Sequence, residues 1–299
     1  EVTVTAGATQ AIFTAIAAFV RPGDEVIVFE PVYDSYVPAI ETVGGKAVYA
    51  RLQFPDYVPD WDQVRRLITA KTRMVIINSP HNPTGSLLTR DDLDHLAALL
   101  DGSNVIVLSD EVYEHIVFDG EGHASVAAHP ALRERALVLS SFGKTYHITG
   151  WKIAYIVGPA ALMTEFRKVH QFNVFTVHAP SQLAIAEYMQ EARRHEGLAM
   201  FYQEKRDVFR RLLAATPFEL LPCRGTYFLL ARYRNISPLG DRAFAEWLTR
   251  EIGVAVIPVS VFYHDGHDEQ VVRFCFAKQE TTLNAAGDRL RQLSTNPQE

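Results

Sequence analysis

Lys144 lies in the run Ser140-Ser141-Phe142-Gly143-Lys144-Thr145 and is followed by Thr149-Gly150-Trp151-Lys152. A lysine presented this way suits an amine that forms a Schiff base with an aldehyde. That reaction needs a fixed approach, a lowered cost of losing the proton, and donors for any phosphate the aldehyde carries. Ser141 and Lys152 have those donors. A solvated surface lysine satisfies the same short pattern, so the assignment needs other residues to support it.

Asp110 closes the segment opened by the apolar run Val105-Ile106-Val107-Leu108, which puts a carboxylate at the carboxyl end of a buried strand. Ligands of open α/β sheets bind there. Asp110-Glu111-Val112-Tyr113 then brings an acid and a phenol to one crevice, although Asp110 would equally cap a turn. Asn78-Ser79-Pro80-His81-Asn82-Pro83-Thr84-Gly85 follows another strand and carries two amides, in residues that turns use anyway. Gly7-Ala8-Thr9, between a strand and a helix, can offer backbone amides and a hydroxyl to a phosphate, or be a plain tight turn. Tyr33, after Glu30-Pro31-Val32, can stack on a flat ring or pack into the core. Arg273 interrupts the apolar strand Val271 to Phe276 with a charge that needs an anion if buried, and a structural salt bridge would serve. His264-Asp265-Gly266-His267-Asp268 holds metal-ligand types, but its short spacing and glycine read as a solvated loop.

The elements that must position these groups follow from hydrophobic period. Runs at Val2 to Thr5, Val26 to Phe29, Ala47 to Leu52, Met74 to Ile77, Val105 to Leu108, Ala136 to Leu139 and Ile153 to Val157 have strand length. Most are rich in Val and Ile and apolar on both faces, as in the buried parallel strands of an α/β sheet. Helical patterns alternate with them at Gln10 to Val20, Asp34 to Val43, Trp61 to Ile68 and Asp91 to Leu100, the last with a capping signal at Thr89 and Asp92. After about Ala160 the pattern changes to long helices over Met163 to His170, Ser181 to Arg194 and Glu196 to Leu213. Strand candidates at Phe218 to Leu221, Thr226 to Ala231 and Val271 to Phe276, then a helix over Thr282 to Leu293, predict a smaller α+β unit.

With 299 residues and 48% hydrophobic composition the chain is long enough for two domains. A net charge of -6 supplies no general basic field, which disfavours nucleic acid and anionic membrane as partners. No run approaches the roughly 20 apolar residues of a membrane span. Cys223 and Cys275 cannot build a disulfide framework and read as buried thiols in a reducing compartment, so cytoplasm is the expected location. The chain opens on a strand with no lead-in, which predicts a start inside a domain.

Taken in order, Gly7-Ala8-Thr9, Glu30-Pro31-Val32-Tyr33, Asn82-Pro83-Thr84-Gly85, Asp110-Glu111-Val112-Tyr113, Ser141-Phe142-Gly143-Lys144, Gly150-Trp151-Lys152 and Arg273-Phe274-Cys275-Phe276 resemble the class I/II pyridoxal-phosphate aminotransferases. The resemblance is closest to the kynurenine and bacterial methionine aminotransferase branch and spans essentially the whole chain. It implies a type I transferase fold, with a large cofactor-binding domain over 1–178 and a small domain over 179–299 that carries Arg273. It implies a ping-pong exchange between an L-amino acid and a 2-oxo acid on pyridoxal 5'-phosphate, in a homodimer with shared sites.

The same resemblance assigns roles. Lys144 would hold the cofactor and act as proton carrier, and Asp110 would keep the pyridine nitrogen protonated. Asn82 and Tyr113 would bond the cofactor's phenolic oxygen, and Tyr33 would lie against its ring. Gly7, Ala8, Thr9, Ser141 and Lys152 would form the phosphate cup, with Lys152 where aspartate aminotransferases usually carry arginine. Arg273, with Asn78 and Asn82 nearby, would clamp the substrate carboxylate. His170 to Phe175 resembles a loop that reaches a neighbouring subunit's pocket, and Phe175 stands where a dicarboxylate enzyme would want arginine, which predicts Met, aromatic or kynurenine-like donors. Two rival readings use nearly the same residues: a cysteine-conjugate β-lyase, and a non-catalytic cofactor-binding sensor domain of a transcription regulator.

Overall fold

The computed structural model describes residues 1–191 and 195–294. The chain runs β1 (Val2–Thr5), α1 (Ala8–Phe19), β2 (Glu25–Glu30), α2 (Tyr36–Thr42), β3 (Lys46–Arg51), α3 (Trp61–Leu67), β4 (Thr72–Asn78), α4 (Arg90–Leu100), β5 (Ile106–Asp110), β6 (Ala136–Ser140), α5 (Phe142–Thr145) and β7 (Ala154–Val157). There follow α6 (Ala160–Asn173), α7 (Ala179–Met189), α8 (Leu198–Ala214), β8 (Glu219–Leu220), β9 (Phe228–Arg232), α9 (Asp241–Trp247), β10 (Ile257–Pro258), β11 (Val271–Cys275) and α10 (Glu280–Leu290). Among the described residues the strands form a seven-stranded sheet, ordered β1-β7-β6-β5-β4-β2-β3, and a four-stranded sheet, ordered β10-β11-β9-β8.

In the larger sheet β7 runs antiparallel to both neighbours and the other pairs are parallel. The apolar-on-both-faces pattern has its cause in two core layers. Val26, Val28, Met74, Ile76 and Leu108 pack into one, and Ile27, Val75, Ile77 and Val107 into the other. Each buried Val, Ile or Leu contributes about 1.5–3 kcal/mol, so the sheet is stable only when covered on both faces. The register pairs Asn78 with Asp110 across β4 and β5, which aligns the amide and the carboxylate at the same edge.

Helix starts follow local chemistry where the sequence offers it. Thr89 and Asp92 form a reciprocal capping box at α4. α1 begins at Gly7 with no side-chain cap, a departure from that habit that has consequences at the site.

Several expected bounds move. β9 begins at Phe228 rather than Thr226, because Thr226 adopts φ 67 and its N–H donates to the Ile116 carbonyl instead of joining the ladder. β8 is reduced to two residues. The helix expected over Ser181 to Arg194 ends at Met189, and Arg194 lies outside the described residues. α9 and the π-helical turn Leu248–Ile252 were not expected, since seven residues after Gly240 are too short a run to declare a helical period. Cys223 is a buried free thiol, but Cys275 is only half-buried, because it falls on the same face of β11 as Arg273 while Val272 and Phe274 take the core face.

The His264 to Asp268 segment is a loop that binds the larger sheet. His264 donates its backbone N–H to buried Glu30 and stacks on Tyr49, and Arg51 pairs with Asp265. Among the described residues no group of three or more His, Cys, Asp or Glu is placed to hold a metal, and no helix is long and apolar enough to cross a membrane.

Candidate active site

A cavity of about 580 Å³ opens where β2, β4, β5 and β6 end. From the start of α1 it is lined by Gly7, Ala8 and Thr9, and from the strand ends by Tyr33, Asn78, Asn82, Asp110 and Tyr113. Ser141, Lys144 and Lys152 close one side, and Arg273 reaches in from β11 of the smaller sheet. Lys144 and Asp110 therefore share one cavity. Phe175 does not line it; it stands after α6 on the surface, 78% exposed, with φ 64.

Asp110 sits at the floor, 4% exposed. Tyr36 donates its O–H to Asp110 Oδ2 at 2.7 Å and the Val112 N–H donates to Oδ1 at 3.3 Å. Asn78 Nδ2 donates to the Asp110 backbone carbonyl, and Asn78 Oδ1 accepts from the Asn82 N–H, so the two amides and the carboxylate are one assembly. Burial raises the Asp110 carboxyl to about 6 despite those bonds and the Lys144 charge. A carboxylate desolvated to this degree is stabilised by a cation placed against it.

Lys144 and Lys152 enter the same cavity because two loops touch. A Cβ on Gly143 would lie 3.0 Å from Thr149 Cα, and Thr149 donates its hydroxyl to the Gly143 carbonyl. Opposite them, Gly7 has φ +86, and a Cβ there would stand 3.0 Å from Lys152 Cε. α1 has no acidic residue in its first turn and no capping side chain. Its free N–H groups, the helix dipole and Lys152 together make an anion site.

Arg273 is half-buried, flanked by the Phe228 ring at 4.0 Å and the Phe262 ring at 5.1 Å. Its Nη1 donates to Asn82 Oδ1 at 2.6 Å, and among the described residues no carboxylate pairs with it. Burial lowers its pKa without making loss of the proton accessible. The salt bridge that would have made Arg273 purely structural is not formed, and the guanidinium remains available to an incoming carboxylate.

The residues present fit pyridoxal 5'-phosphate: an uncapped helix start with Lys152 for a phosphate, a desolvated carboxylate for a ring cation, and an amine for an aldehyde. Four residues that the sequence alone did not single out complete the site. Tyr36 orients Asp110, Phe228 and Phe262 flank Arg273, and Tyr227 accepts from Lys144 Nζ at 2.8 Å. None has a local signature, because an aromatic beside a strand reads as core until its neighbours across the fold are known.

A family model described as aminotransferase class I and II matches residues 1–290. The chain is 51% identical over 294 residues to methionine aminotransferase of Escherichia coli K12, covering 98% of this chain and 76% of that protein. It is 33% identical over 325 residues to kynurenine-oxoglutarate transaminase 1 of Homo sapiens, covering 98% of this chain and 77% of that protein. Among solved structures, an Escherichia coli protein identified as having a methionine aminotransferase function superposes with TM-score 0.96 at 51% identity, over 98% of this chain and 78% of that one. N-succinyldiaminopimelate aminotransferase of Mycobacterium tuberculosis superposes with TM-score 0.92 at 37% identity, again over 98% and 78%.

Proposed function

Because this chain belongs to the class I and II aminotransferases and has their fold, we propose that it moves the amino group of an L-amino acid with an apolar side chain, methionine foremost, to a 2-oxo acid on pyridoxal 5'-phosphate. The observation that carries this reading is that Lys144, Asp110 and Arg273, which pairs with no carboxylate among the described residues, face one cavity. Neither rival reading, β-lyase or sensor domain, gains support from those relatives.

When bound, the cofactor supplies an aldehyde and a cationic ring that withdraws electrons from the donor's α-carbon. Gly7, Ala8, Thr9, Ser141 and Lys152 would hold its phosphate, Asp110 its ring nitrogen, Asn82 and Tyr113 its phenolic oxygen, and Tyr33 its ring face. Burial and the neighbouring Tyr227 keep the Tyr113 phenol well above the ordinary tyrosine range, so it acts as a hydrogen-bond donor. Arg273 binds the donor's α-carboxylate and thereby fixes where the α-carbon lies. Lys144 Nζ takes the proton from that α-carbon. Carboxylate binding at Arg273 also draws β11 toward the larger sheet and excludes water.

For the donor side chain, Ile12, Ile257, Val261 and Phe262 present apolar surface in the cavity, whose lining among the described residues holds no arginine besides Arg273 to pair with a second carboxylate. The exposed Phe172, Phe175 and Leu183, at 86%, 78% and 71%, fit contact with a second copy of the chain, which would carry Phe175 to that copy's cavity. The two free thiols suit a cytoplasmic setting.

The test is an absorbance titration of the loaded protein. Its colour bleaches with methionine and returns with a 2-oxo acid, methionine outpaces aspartate in single turnover, and Lys144→Ala slows bleaching by roughly 10²–10⁴-fold. A colour indifferent to every amino acid would overturn the function, and fastest turnover with aspartate would overturn the donor class.

A further inference from the structure

We propose that Tyr227 is a positioning residue for the reaction, a phenol that holds the free ε-amine of Lys144 in line whenever that amine has no covalent partner. The inference rests on the aminotransferase reading for its purpose, although not for its geometry.

Lys144 Nζ donates to Tyr227 Oη at 2.8 Å, and the Tyr113 hydroxyl donates to the same oxygen at 3.4 Å. The ammonium also lies 5.5 Å from the ring centroids of both tyrosines. Among the described residues the amine thus has a single strong acceptor contact, and that acceptor comes from the far side of the fold. Lys144 stands on the segment after β6, whereas Tyr227 immediately precedes β9 of the smaller sheet.

The backbone spends conformational freedom to put it there. Thr226 is fully buried and β-branched yet sits at φ 67, a region such residues seldom adopt. Its N–H donates to the Ile116 carbonyl at 3.0 Å, and its hydroxyl accepts from the Phe228 N–H at 3.1 Å. Just before it, the Arg224 and Gly225 N–H groups both donate to the Gly85 carbonyl at 2.9 Å. A Cβ on Gly225 would stand 2.7 Å from Pro80 Cβ. A strained residue persists only where its surroundings over-determine it, and here they clamp the segment between the Asn82 turn and the Tyr113 segment.

The clamp fixes two consecutive side chains. Tyr227 meets Lys144, and Phe228 lies under the Arg273 guanidinium at 4.0 Å. One short stretch of backbone therefore sets the distance between the proton carrier and the carboxylate clamp. An amine left free from the first half of the reaction until the second half ends would otherwise sample several rotamers, and a phenol acceptor confines it at little cost in reactivity.

The experiment labels Lys144 with trinitrobenzenesulfonate across pH, read by peptide mass spectrometry. The protein is saturated with pyridoxamine 5'-phosphate, which leaves the lysine without a covalent partner. In Tyr227→Phe the ring stays and only the hydroxyl goes. Removing the acceptor frees the amine, so Lys144 is labelled about threefold faster at a given pH and the profile moves accordingly. The single-turnover rate with methionine falls about tenfold, while the affinity for the cofactor is unchanged. Tyr202→Phe is the control: its ring packs 5.6 Å from Tyr227, but its hydroxyl meets His147 and not Lys144. An unmoved labelling profile in Tyr227→Phe, or an equal shift in Tyr202→Phe, overturns the proposal. Failure to bind the cofactor at all would instead sink the aminotransferase reading, and labelling of the cofactor-free chain would still report on Tyr227.

Discussion

Asp110 is the residue whose surroundings are most at odds with its charge. Its burial costs the cofactor-free chain stability at neutral pH, since it moves the carboxyl from 3.8 to about 6. A raised carboxyl pKa means the folded state binds the proton more tightly than the unfolded state. The stabilisation from that bound proton is complete below pH 3.8 and is lost as pH rises through about 6. The difference is on the order of 3 kcal/mol. Asp110→Asn without cofactor is therefore expected to withstand more urea than the parent at pH 7.5, and to converge with it near pH 4. With cofactor bound, the ring cation offsets the charge and the order at pH 7.5 reverses. Urea midpoints at the two pH values check this, and a gap that ignores pH would show that Asp110 is already compensated within the chain.

At the scale of elements, the start of α1 contrasts with that of α4. Thr89 and Asp92 satisfy each other's backbone N–H at the start of α4, and the sequence announced it. Gly7 leaves the N–H groups of α1 open beneath Lys152. Gly7→Ala must either strain φ +86 or push Lys152 aside, because the new methyl would meet Lys152 Cε at 3.0 Å. The expected result is roughly tenfold weaker cofactor binding, read by fluorescence quenching on titration, with little change in the binding of a phosphate-free pyridoxal. Equal losses for both ligands would place the damage in the ring site instead. The element that the sequence did not resolve, α9, depends on a tertiary contact. Buried Asp241 accepts from the Ser260 N–H and hydroxyl, 19 residues away, rather than capping its own helix.

For the whole molecule, the two sheets are joined on both flanks of the cavity. One join is the clamp of Gly85 on Arg224 and Gly225; the other is the His264 loop on β2 and β3. Glu30, 1% exposed, accepts from the His264 backbone at 2.6 Å and from its ring at 3.0 Å, and that ring stacks on Tyr49 at 4.1 Å. His264→Ala removes the ring contacts and is expected to cost about 1–2 kcal/mol. Asp265→Ala, which breaks the exposed pair with Arg51 and the exposed bond that Asp265 accepts from the His267 N–H, is expected to leave the urea midpoint nearly where it was. Equal effects from the two variants would mean that the loop's charge, rather than its packed imidazole, makes the join.

What the sequence determined by itself was chemistry and order: a lysine in a Ser/Gly loop, a carboxylate closing a Val/Ile run, and amides in a turn after the neighbouring strand. Strand runs and the α4 cap were equally legible, because period and capping act within a few residues. Tertiary structure decided which side chains meet. The pairing of Lys144 with Tyr227, of Tyr36 with Asp110, and of Arg273 with two phenylalanine rings spans separate elements. No spacing along the chain encodes such contacts, since they arise from sheet register and from a left-handed turn at Thr226.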